Sequence, residues 1–398
     1  MNRKTFLILL VLLLVLGGAG LALFWQELGV WRSAGSKIGS KPFEKLAVSQ
    51  VAQIRLFDGA NEATLALKDG RWVVRQRGDY SANVQEIGDL LVKLPDWKVV
   101  QTENVGASLL PRLNLIAPAG SAKADAKADA KADAKAETKT ETKAEAKAEG
   151  VGTQLELADK SGTVLGSILL GKIVVKKEPS PLPIQQETPV GRYVLSQGAQ
   201  PVLVMSDALK NASAKPEAWL AKDFFKADRI KSLTVSGEGA AWKIARKEEY
   251  DPWKFAEGTG ELDPGKAVAA VNALNALTFT DVATDVKPES LDKPRTFVAD
   301  TYDNLVYTIK VAPKPGSGDY YLTVGLSGEP PRTRTPEANE KAADKERLDK
   351  QFEDALKKLD DRIKLEKSLG GWVYVVSAKT LDPLLKPRAE LVAAAQKK

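Results

Sequence analysis

A strand, a polar turn and an amphipathic helix follow one another twice in this chain, and this repeat constrains the fold more than any other feature. The first copy is Asp69–Leu94, in which a strand carrying Trp72 leads into the helix. The second copy is Tyr250–Leu277, in which Trp253 takes the place of Trp72. Apolar residues at helical spacing follow the turn in both copies. The pattern therefore predicts two versions of one module.

The first helix is predicted at Ser81–Leu94, with Ser81 or Asn83 as its cap and Pro95 beyond its end. Its expected apolar stripe consists of Val84, Ile87, Leu90, Leu91 and Leu94. A shift of 184 residues pairs Val84 with Val268, Ile87 with Val271 and Leu90 with Leu274. The match fails at Asn275, so we expect a narrower stripe on the second helix.

Alternating apolar and polar residues predict the strands of both modules. Those of the first module are Val51–Phe57, Glu62–Lys68, Arg71–Gln76, Trp97–Gln101, Thr153–Ala158, Thr163–Leu170, Val190–Ser196 and Val202–Met205. Those of the second are Arg229–Ser236, Ala241–Arg246, Thr296–Thr301, Leu305–Val311, Tyr320–Gly325 and Trp372–Ser377. We expect one short helix to begin at Ser206–Asn211 and another at Leu381–Leu385. The shared order of elements predicts two tandem copies of a mainly antiparallel β module with one amphipathic helix each, an α+β fold.

The N-terminus predicts a transmembrane helix before these modules. Thr5–Trp25 is about 21 residues without a charge, long enough for the roughly 30 Å hydrocarbon layer. Arg3 and Lys4 precede it, and Trp31 follows at a place typical of interfacial aromatics. A cleaved signal peptide is the alternative. We expect an uncleaved anchor in the cell inner membrane, with the N-terminus cytoplasmic and the bulk on the periplasmic side.

These patterns divide the chain into segments. The predicted segments are a cytoplasmic tail (1–4), the anchor (5–25), a linker (26–48), the first module (49–214), a bridge (215–228), the second module (229–392) and a tail (393–398). The bridge carries Trp219, Phe224 and Phe225, which we expect to be packed between the modules rather than exposed as a binding patch.

Each module also has an insert of its own. Residues 121–149 repeat alanine, lysine and acid in a low-complexity segment, and we interpret them as a solvated, partly helical spacer. Residues 335–369 predict a long charged helix with a narrow stripe of Leu348, Phe352, Ala355, Leu356, Leu359 and Ile363. This helix either packs on its own domain or forms a coiled coil with a partner.

The composition excludes several kinds of chemistry. The chain has neither His nor Cys, so it lacks the residues for a thiolate nucleophile, a Ser-His-Asp triad or an ordinary zinc site. A net charge of +6 without a basic aromatic cluster argues against nucleic-acid binding. We find no phosphate-binding loop, dinucleotide fingerprint or nucleophile elbow. We therefore predict no catalytic, cofactor or metal residues.

Four aromatic residues flank the two strand-to-helix turns, namely Trp72, Tyr80, Tyr250 and Trp253. Core packing is their expected role, and a groove for glycan or peptide is the alternative. Four acidic residues, Asp58, Asp69, Asp159 and Asp303, lie in turn-like contexts that explain them. A pair of carboxylates for glycoside hydrolysis needs only two such residues, but nothing in the sequence brings two together.

The Trp strand, the Tyr-containing turn, the Leu-rich helix, the anchor and the closing stretch Val373–Leu385 carry a resemblance. The chain resembles bacterial envelope proteins of the domain of unknown function 4340 family, over most of Val51–Leu385 outside the two inserts. The typical helix start in that family reads Tyr-Pro-Ala-Asp, whereas Tyr80-Ser81-Ala82-Asn83 here lacks the Pro and the Asp. The resemblance implies an association with ABC-type transport components similar to those of gliding-motility systems.

Three functional hypotheses follow. The first is a non-enzymatic, single-pass envelope protein that serves as an accessory or scaffold component of a membrane complex of the ABC transport type. Its expected partners are membrane lipid at residues 5–25, transporter subunits, and a coiled-coil partner at residues 335–369. The alternative is a glycan- or peptide-binding envelope module, and the third is a hydrolase with paired carboxylates.

Overall fold

A computed structural model describes residues 37–119, 149–178, 186–196, 199–237, 241–336 and 340–393. The chain divides into two compact units, Met1–Ala221 and Lys222–Lys398. Each unit is built on one antiparallel sheet with few helices, so the protein is a mixed α+β protein, as the sequence predicts.

Nine strands form the sheet of the first unit. They are β1 Gln53–Phe57, β2 Glu62–Lys68, β3 Arg71–Val74, β4 Tyr80–Ser81, β5 Val99–Glu103, β6 Thr153–Ala158, β7 Val164–Glu178, β8 Gln186–Ser196 and β9 Ala199–Met205. Their order across the sheet is β4-β3-β2-β1-β6-β7-β8-β9-β5. All eight predicted strands of this module are present, but the helix expected from Ser206 is absent, since residues 206–211 are irregular.

The tight turn between β2 and β3 shows why the meander forms. Lys68 pairs with Arg71, so Asp69 and Gly70 alone make the connection. Both have positive φ, 50° and 76°, which a two-residue hairpin of this type requires and which Asp and Gly tolerate. The strands bury one face completely, with Ile54, Leu65 and Leu155 at 0% exposure.

Helix α1 of the first unit spans Val84–Lys93. The side chain of Asn83 accepts hydrogen bonds from the backbone of Gln85 and Glu86, so Asn83 is the cap and Ser81 is not. Val84 was predicted on the apolar stripe, but it is 61% exposed, so the buried stripe of the helix begins at Ile87.

Part of the predicted linker belongs to the first unit. Phe43 is buried and stacks on Trp97 with ring centroids 6.5 Å apart. Gly166 leaves room for the Phe43 ring, because a Cβ at this glycine would lie 2.6 Å from Phe43 Cε1. Residues 37–48 therefore contribute to the core, which polar composition alone did not indicate.

The described residues of the second unit form eight strands and four helices. The strands are β10 Ile230–Ser236, β11 Trp242–Ala245, β12 Lys254–Phe255, β13 Asp281–Ala283, β14 Arg295–Thr301, β15 Leu305–Pro313, β16 Tyr320–Gly328 and β17 Val373–Val376, in the order β12-β11-β10-β14-β15-β16-β17-β13. The helices are α2 Pro264–Asn275, α3 Ala342–Ser368, α4 Ala378–Leu385 and α5 Arg388–Leu391. The insert helix α3 begins later than the predicted residue 335.

The strand order of the second sheet repeats that of the first, apart from the extra edge strand β4. The strand register agrees as well. Leu65 in β2 pairs with Val74, and the equivalent buried residue Ile244 in β11 pairs with Phe255. Trp72 and Trp253 each lie two residues before these partners.

The helices, in contrast, align 180 residues apart rather than the predicted 184. Their caps are Asn83 and Asp263, which fixes the shift. With this shift the buried residues coincide: Ile87 with Ala267, Leu90 with Ala270, Leu91 with Val271, and Leu94 with Leu274. The prediction was one helical turn off because residues four apart share a helix face.

Each unit ends on a short segment that pairs with the residues before its helix cap. In the first unit Ala82 bridges Leu220, and in the second Leu262 bridges Val392. Residues up to Ala221, predicted as part of a bridge, thus pair within the first unit.

Several predicted segments lie outside the described residues. They are the cytoplasmic tail 1–4, the transmembrane segment 5–25, the linker up to residue 36, the low-complexity insert apart from residue 149, and the C-terminal tail apart from residue 393. No helix in the described part of the chain combines the length and the apolar character needed to cross a bilayer.

Candidate functional site

Of the two aromatic residues singled out in the first unit, one is buried in the core and the other is half-buried. Tyr80 lies in β4 and is 3% exposed, whereas Trp72 in β3 is half-buried. The large buried anchors of this unit are instead Trp97 and Trp219, whose indole N–H groups donate to the carbonyls of Asp207 and Ser213.

The aromatics of the second unit lie at the surface. Tyr250 is 95% exposed, and Trp253 is half-buried beneath the Arg246 guanidinium, 4.7 Å from the ring centroid. Arg246 also lies 5.7 Å from the ring centroid of Tyr302, a residue the sequence did not single out. Trp253 is therefore not the core anchor of its unit. It belongs instead to a surface cluster with Arg246 and Tyr302.

The acidic turn residues are explained by local hydrogen bonds. Asp58 accepts from the backbone of Asn61 at 2.8 Å, and Asp159 accepts from Ser161 and Thr163 at 2.8 and 2.9 Å. The Ser161 hydroxyl, first among several donors, lowers the pKa of Asp159. Asp303 instead forms an ion pair with Arg229.

The feature with the strongest functional geometry is helix α3 of the second unit. Its C-terminal end is docked on the unit through Glu366, which is 2% exposed. Glu366 accepts from the Tyr307 hydroxyl at 2.7 Å and from the backbone N–H of Lys226 at 3.1 Å. Burial and the neighbouring carboxylate raise the pKa of Tyr307, so the phenol stays protonated and donates. Arg362, one turn earlier, pairs with Asp228 at 2.9 Å.

The middle and the start of α3 are held by the segment that precedes it. Arg332 pairs with Asp360 at 2.7 Å, and Arg334 pairs with Asp349 at 2.8 Å and with Glu340. These pairs brace the helix against its own connection rather than against the sheet. The helix packed on its own domain is therefore the arrangement present, and it leaves part of the apolar stripe uncovered.

A groove of about 950 Å³ lies along this uncovered part. Its apolar lining comes from Phe352, Leu356, Leu359, Pro330 and Tyr302. Two ion pairs lie among the lining residues, Asp228 with Arg362 and Asp303 with Arg229. The Glu249 carboxylate, which hydrogen bonds Arg229, raises the pKa of that guanidinium. An apolar groove with a few fixed polar groups is typical of a ligand or peptide site.

A second cavity, in the first unit, is smaller and more polar. It has a volume of about 510 Å³ and is lined by α1, by Pro189 and Val190 of β8, and by residues 206–212. Lys93 and Asp207, both lining residues, pair at 3.4 Å. This cavity is the weaker site because it is smaller than the groove and exposes less apolar surface.

The sequence analysis predicted some residues of the α3 site and missed others. The predicted stripe includes Phe352, Leu356 and Leu359, which line the groove. It missed Glu366, although this residue lies three positions after Ile363 on the same helix face and so could have been noticed as a carboxylate in an apolar stripe. Tyr302 and Pro330 carried no signal, since only the fold brings them to the helix. In the described residues no cluster of acidic groups is arranged to hold a metal ion.

Comparison with known proteins gives one match. The model of a protein family described as a domain of unknown function (DUF4340) matches residues 72–294, more than half of the chain. The chain belongs to this DUF4340 family. The matched residues of this DUF4340 protein start in β3 and end before β14, so α3 and most of the groove lie outside them. No curated protein and no solved structure compared with the chain matches it.

Proposed function

We propose that this DUF4340 protein is a non-enzymatic envelope protein, anchored in the inner membrane by residues 5–25, that serves as an accessory or scaffold subunit of an ABC-type transport complex. The observation that carries this proposal is the groove along α3, which offers apolar surface to a partner. The absence of His and Cys from the chain and the apolar N-terminal segment support it.

The groove suits an amphipathic helix of a partner subunit. Phe352, Leu356 and Leu359 are four and three positions apart on α3, so they present a ridge about 10 Å long. A partner helix would set apolar side chains at matching intervals against this ridge, as in other helix-in-groove complexes. The ion pairs among the lining residues, which include Arg229 and Arg362, would meet its polar flanks.

Photo-crosslinking from the groove tests the partner site. A crosslinking amino acid placed at position 356 in the full chain, in native membranes, is expected to capture a transport subunit. The same amino acid at Lys357, an exposed neighbour that does not line the groove, is the matched control. Equal capture from both positions would contradict a groove-bound partner.

Affinity capture tests the accessory role separately. The protein solubilised gently from membranes should bring down transporter-type subunits, and Leu356→Asp should lower their recovery at least tenfold while Lys357→Asp does not. Recovery of the wild-type protein alone, under conditions that keep such complexes intact, would count against the proposal.

Reporter fusions test the membrane topology. A periplasmic reporter joined at Lys398 is expected to be active, and a cytoplasmic reporter at the same position inactive. The reverse result would overturn both the orientation and the envelope location.

The exposed aromatic cluster of the second unit favours one further candidate, a glycan- or peptide-binding module. Tyr250, three positions before Trp253 in the chain, is 95% exposed, and an exposed phenol ring suits stacking on a sugar ring. Tyr250→Ala should then weaken pull-down by cell-wall material without changing the circular dichroism spectrum, and Trp72→Ala tests the equivalent site of the first unit. Unchanged pull-down by both variants would remove this candidate.

A further inference from the structure

The hairpin of β7 and β8 in the first unit extends beyond its sheet. Strand β6 pairs with β7 only as far as Leu170, and β9 pairs with β8 only from Arg192 onward. The pairing of β7 with β8 continues to Glu178 and Gln186. Residues 171–178 and 186–191 therefore form a two-stranded ribbon, called the β7–β8 ribbon below.

The described residues of the second unit form no such ribbon. The equivalent hairpin there, β15–β16, ends two pairs beyond Val311 with Leu322. Since the two sheets share their strand order, the ribbon is an addition to the common plan and not a requirement of it.

The ribbon is firmly rooted. The guanidinium of Arg192, at its base, is 8% exposed and donates to the carbonyl of Gly171 at 2.9 Å. It also donates to the carbonyls of Ala208 and Leu209 in the segment after β9. One side chain thus fixes both strands of the ribbon to the body of the unit.

The two long edges of the ribbon differ. Strand β8 carries Pro189, which has no backbone N–H and so interrupts its edge for further pairing. Strand β7 has no proline between Ile173 and Lys177. In the described part of the chain no strand pairs with that edge.

The side chains along the β7 edge are apolar and basic. Ile173 and Val174 are half-buried, and Val175 is 39% exposed. Lys172, Lys176 and Lys177 are exposed on the same strand, whereas Glu187 is the one acid among residues 171–177 and 187–191. Glu178 follows Lys177 in the chain, and Lys177 pairs with Glu187 at 3.5 Å, so the positive charge that this stretch offers a partner comes from Lys172 and Lys176.

We propose that the β7 edge at residues 173–177 binds an extended strand of a partner protein in which acidic residues alternate with apolar ones. The backbone would pair as in other strand-addition complexes. The acidic side chains would meet the lysines, and the apolar ones would cover Val175 and its neighbours. This site is separate from the α3 groove and stands without it.

The lysines also decide against a second copy of this chain as the occupant. An antiparallel pairing of two β7 edges sets Lys172 of one copy near Lys176 or Lys177 of the other. Like charges opposite each other destabilise a strand pair, and lysine on an edge is a common guard against self-association. The same charges attract an acidic strand.

The test uses a labelled seven-residue peptide of alternating glutamate and valine, followed by fluorescence anisotropy on the full chain in detergent micelles. Binding is expected, with a dissociation constant that rises at least tenfold when alternate backbone amides of one register are N-methylated. N-methylation of the other register should leave it within twofold. Equal binding of the unmodified peptide and both methylated peptides would overturn strand addition.

Charge variants complete the test. Lys172→Glu with Lys176→Glu should raise the dissociation constant at least tenfold, and a lysine–valine peptide should then bind this variant better than the wild type. Lys160→Glu with Lys215→Glu makes the same charge change at exposed positions away from the ribbon and should have little effect. An equal loss in both variants, binding of the acidic peptide no tighter than the lysine–valine peptide to the wild type, or dimers that the ribbon variant abolishes would each overturn the proposal.

Discussion

At the scale of single residues, Arg192 is a buried cation that donates to backbone carbonyls. Its donors meet three backbone carbonyls, those of Gly171, Ala208 and Leu209, and the structure gives it no carboxylate partner within the described residues. Burial lowers the pKa of the Arg192 guanidinium to about 10. The side chain serves geometry, because a planar group with several fixed donors can hold three acceptors at once.

Replacing Arg192 should therefore destabilise the first unit even where the charge is kept. Arg192→Lys loses the fork of donors, and we expect a loss of roughly 1–3 kcal/mol, since buried carbonyls are left unpaired. Arg192→Met should cost at least as much. Thermal or urea unfolding measures both, with the exposed Lys172→Met as a control. A stable Met variant would show that the carbonyls find other donors.

Glu62 is a carboxylate that a neighbouring cation stabilises in its ionised form. The Arg55 guanidinium, which donates to it at 2.9 Å, lowers the pKa of the Glu62 carboxyl. The folded state therefore prefers the ionised form. The stabilisation is present above the ordinary glutamate pKa of about 4.3 and disappears as the pH falls through the lowered folded value.

Glu62→Gln should accordingly destabilise the protein at pH 7 by less than about 1 kcal/mol, because the pair is partly solvated. The difference between variant and wild type should shrink towards pH 3, as the wild-type carboxyl gains its proton. Urea unfolding at the two pH values measures it. A difference that persists unchanged at pH 3 would point to packing instead of charge.

At the scale of elements, the docking of α3 depends on a few residues near its C-terminal end. Ile363, Glu366 and Leu369 are buried there, whereas most of the helix is charged and exposed. A helix this polar gains little from apolar burial along its length. The hydrogen bonds of Glu366 with Tyr307 and Lys226 therefore fix where the helix lies and, with it, the width of the groove.

Glu366→Ala should release the C-terminal part of α3. It leaves the Tyr307 hydroxyl and the Lys226 N–H without their carboxylate, which we expect to cost roughly 2–4 kcal/mol. Hydrogen exchange should show faster exchange in α3 with little change in β10 and β14. Glu353→Ala, an exposed position on the same helix, is the control and should leave the exchange rates as they are.

At the scale of the whole molecule, one sheet plan has been elaborated in two ways. The first unit lengthens the β7–β8 hairpin, and the second inserts α3 between β16 and β17. In each unit, a segment after the last long strand pairs with the residue just before the helix cap. This segment contributes Leu220 in the first unit and Val392 in the second. Function is expected in the additions, because the shared sheets supply only the scaffold.

The segment that pairs through Leu220 predicts where the chain can be truncated. A fragment of residues 37–221 should fold, whereas one of residues 37–214 should be much less stable, since it lacks Trp219 and the bridge at Leu220. Melting temperature and amide dispersion in a proton–nitrogen correlation spectrum compare the two. Equal stability would mean that the segment is not part of the unit.

The sequence by itself determined the α+β class, the repeated order of strands and helix, the tight turn at Asp69-Gly70 and the apolar stripe of α3. These features are local, since period, turn chemistry and capping are written in neighbouring residues. The helix alignment was wrong by one turn for the same reason, because periodicity leaves the start of a helix undetermined and only the caps Asn83 and Asp263 fix it.

The tertiary structure decided the rest. It buried Trp97 and Trp219 rather than Trp72 and Trp253, and it brought Tyr307 to Glu366 across 59 residues of sequence. It also extended β7 and β8 past their sheet. Such contacts depend on which elements become neighbours, and burial of one carboxylate or exposure of one edge follows only from that arrangement.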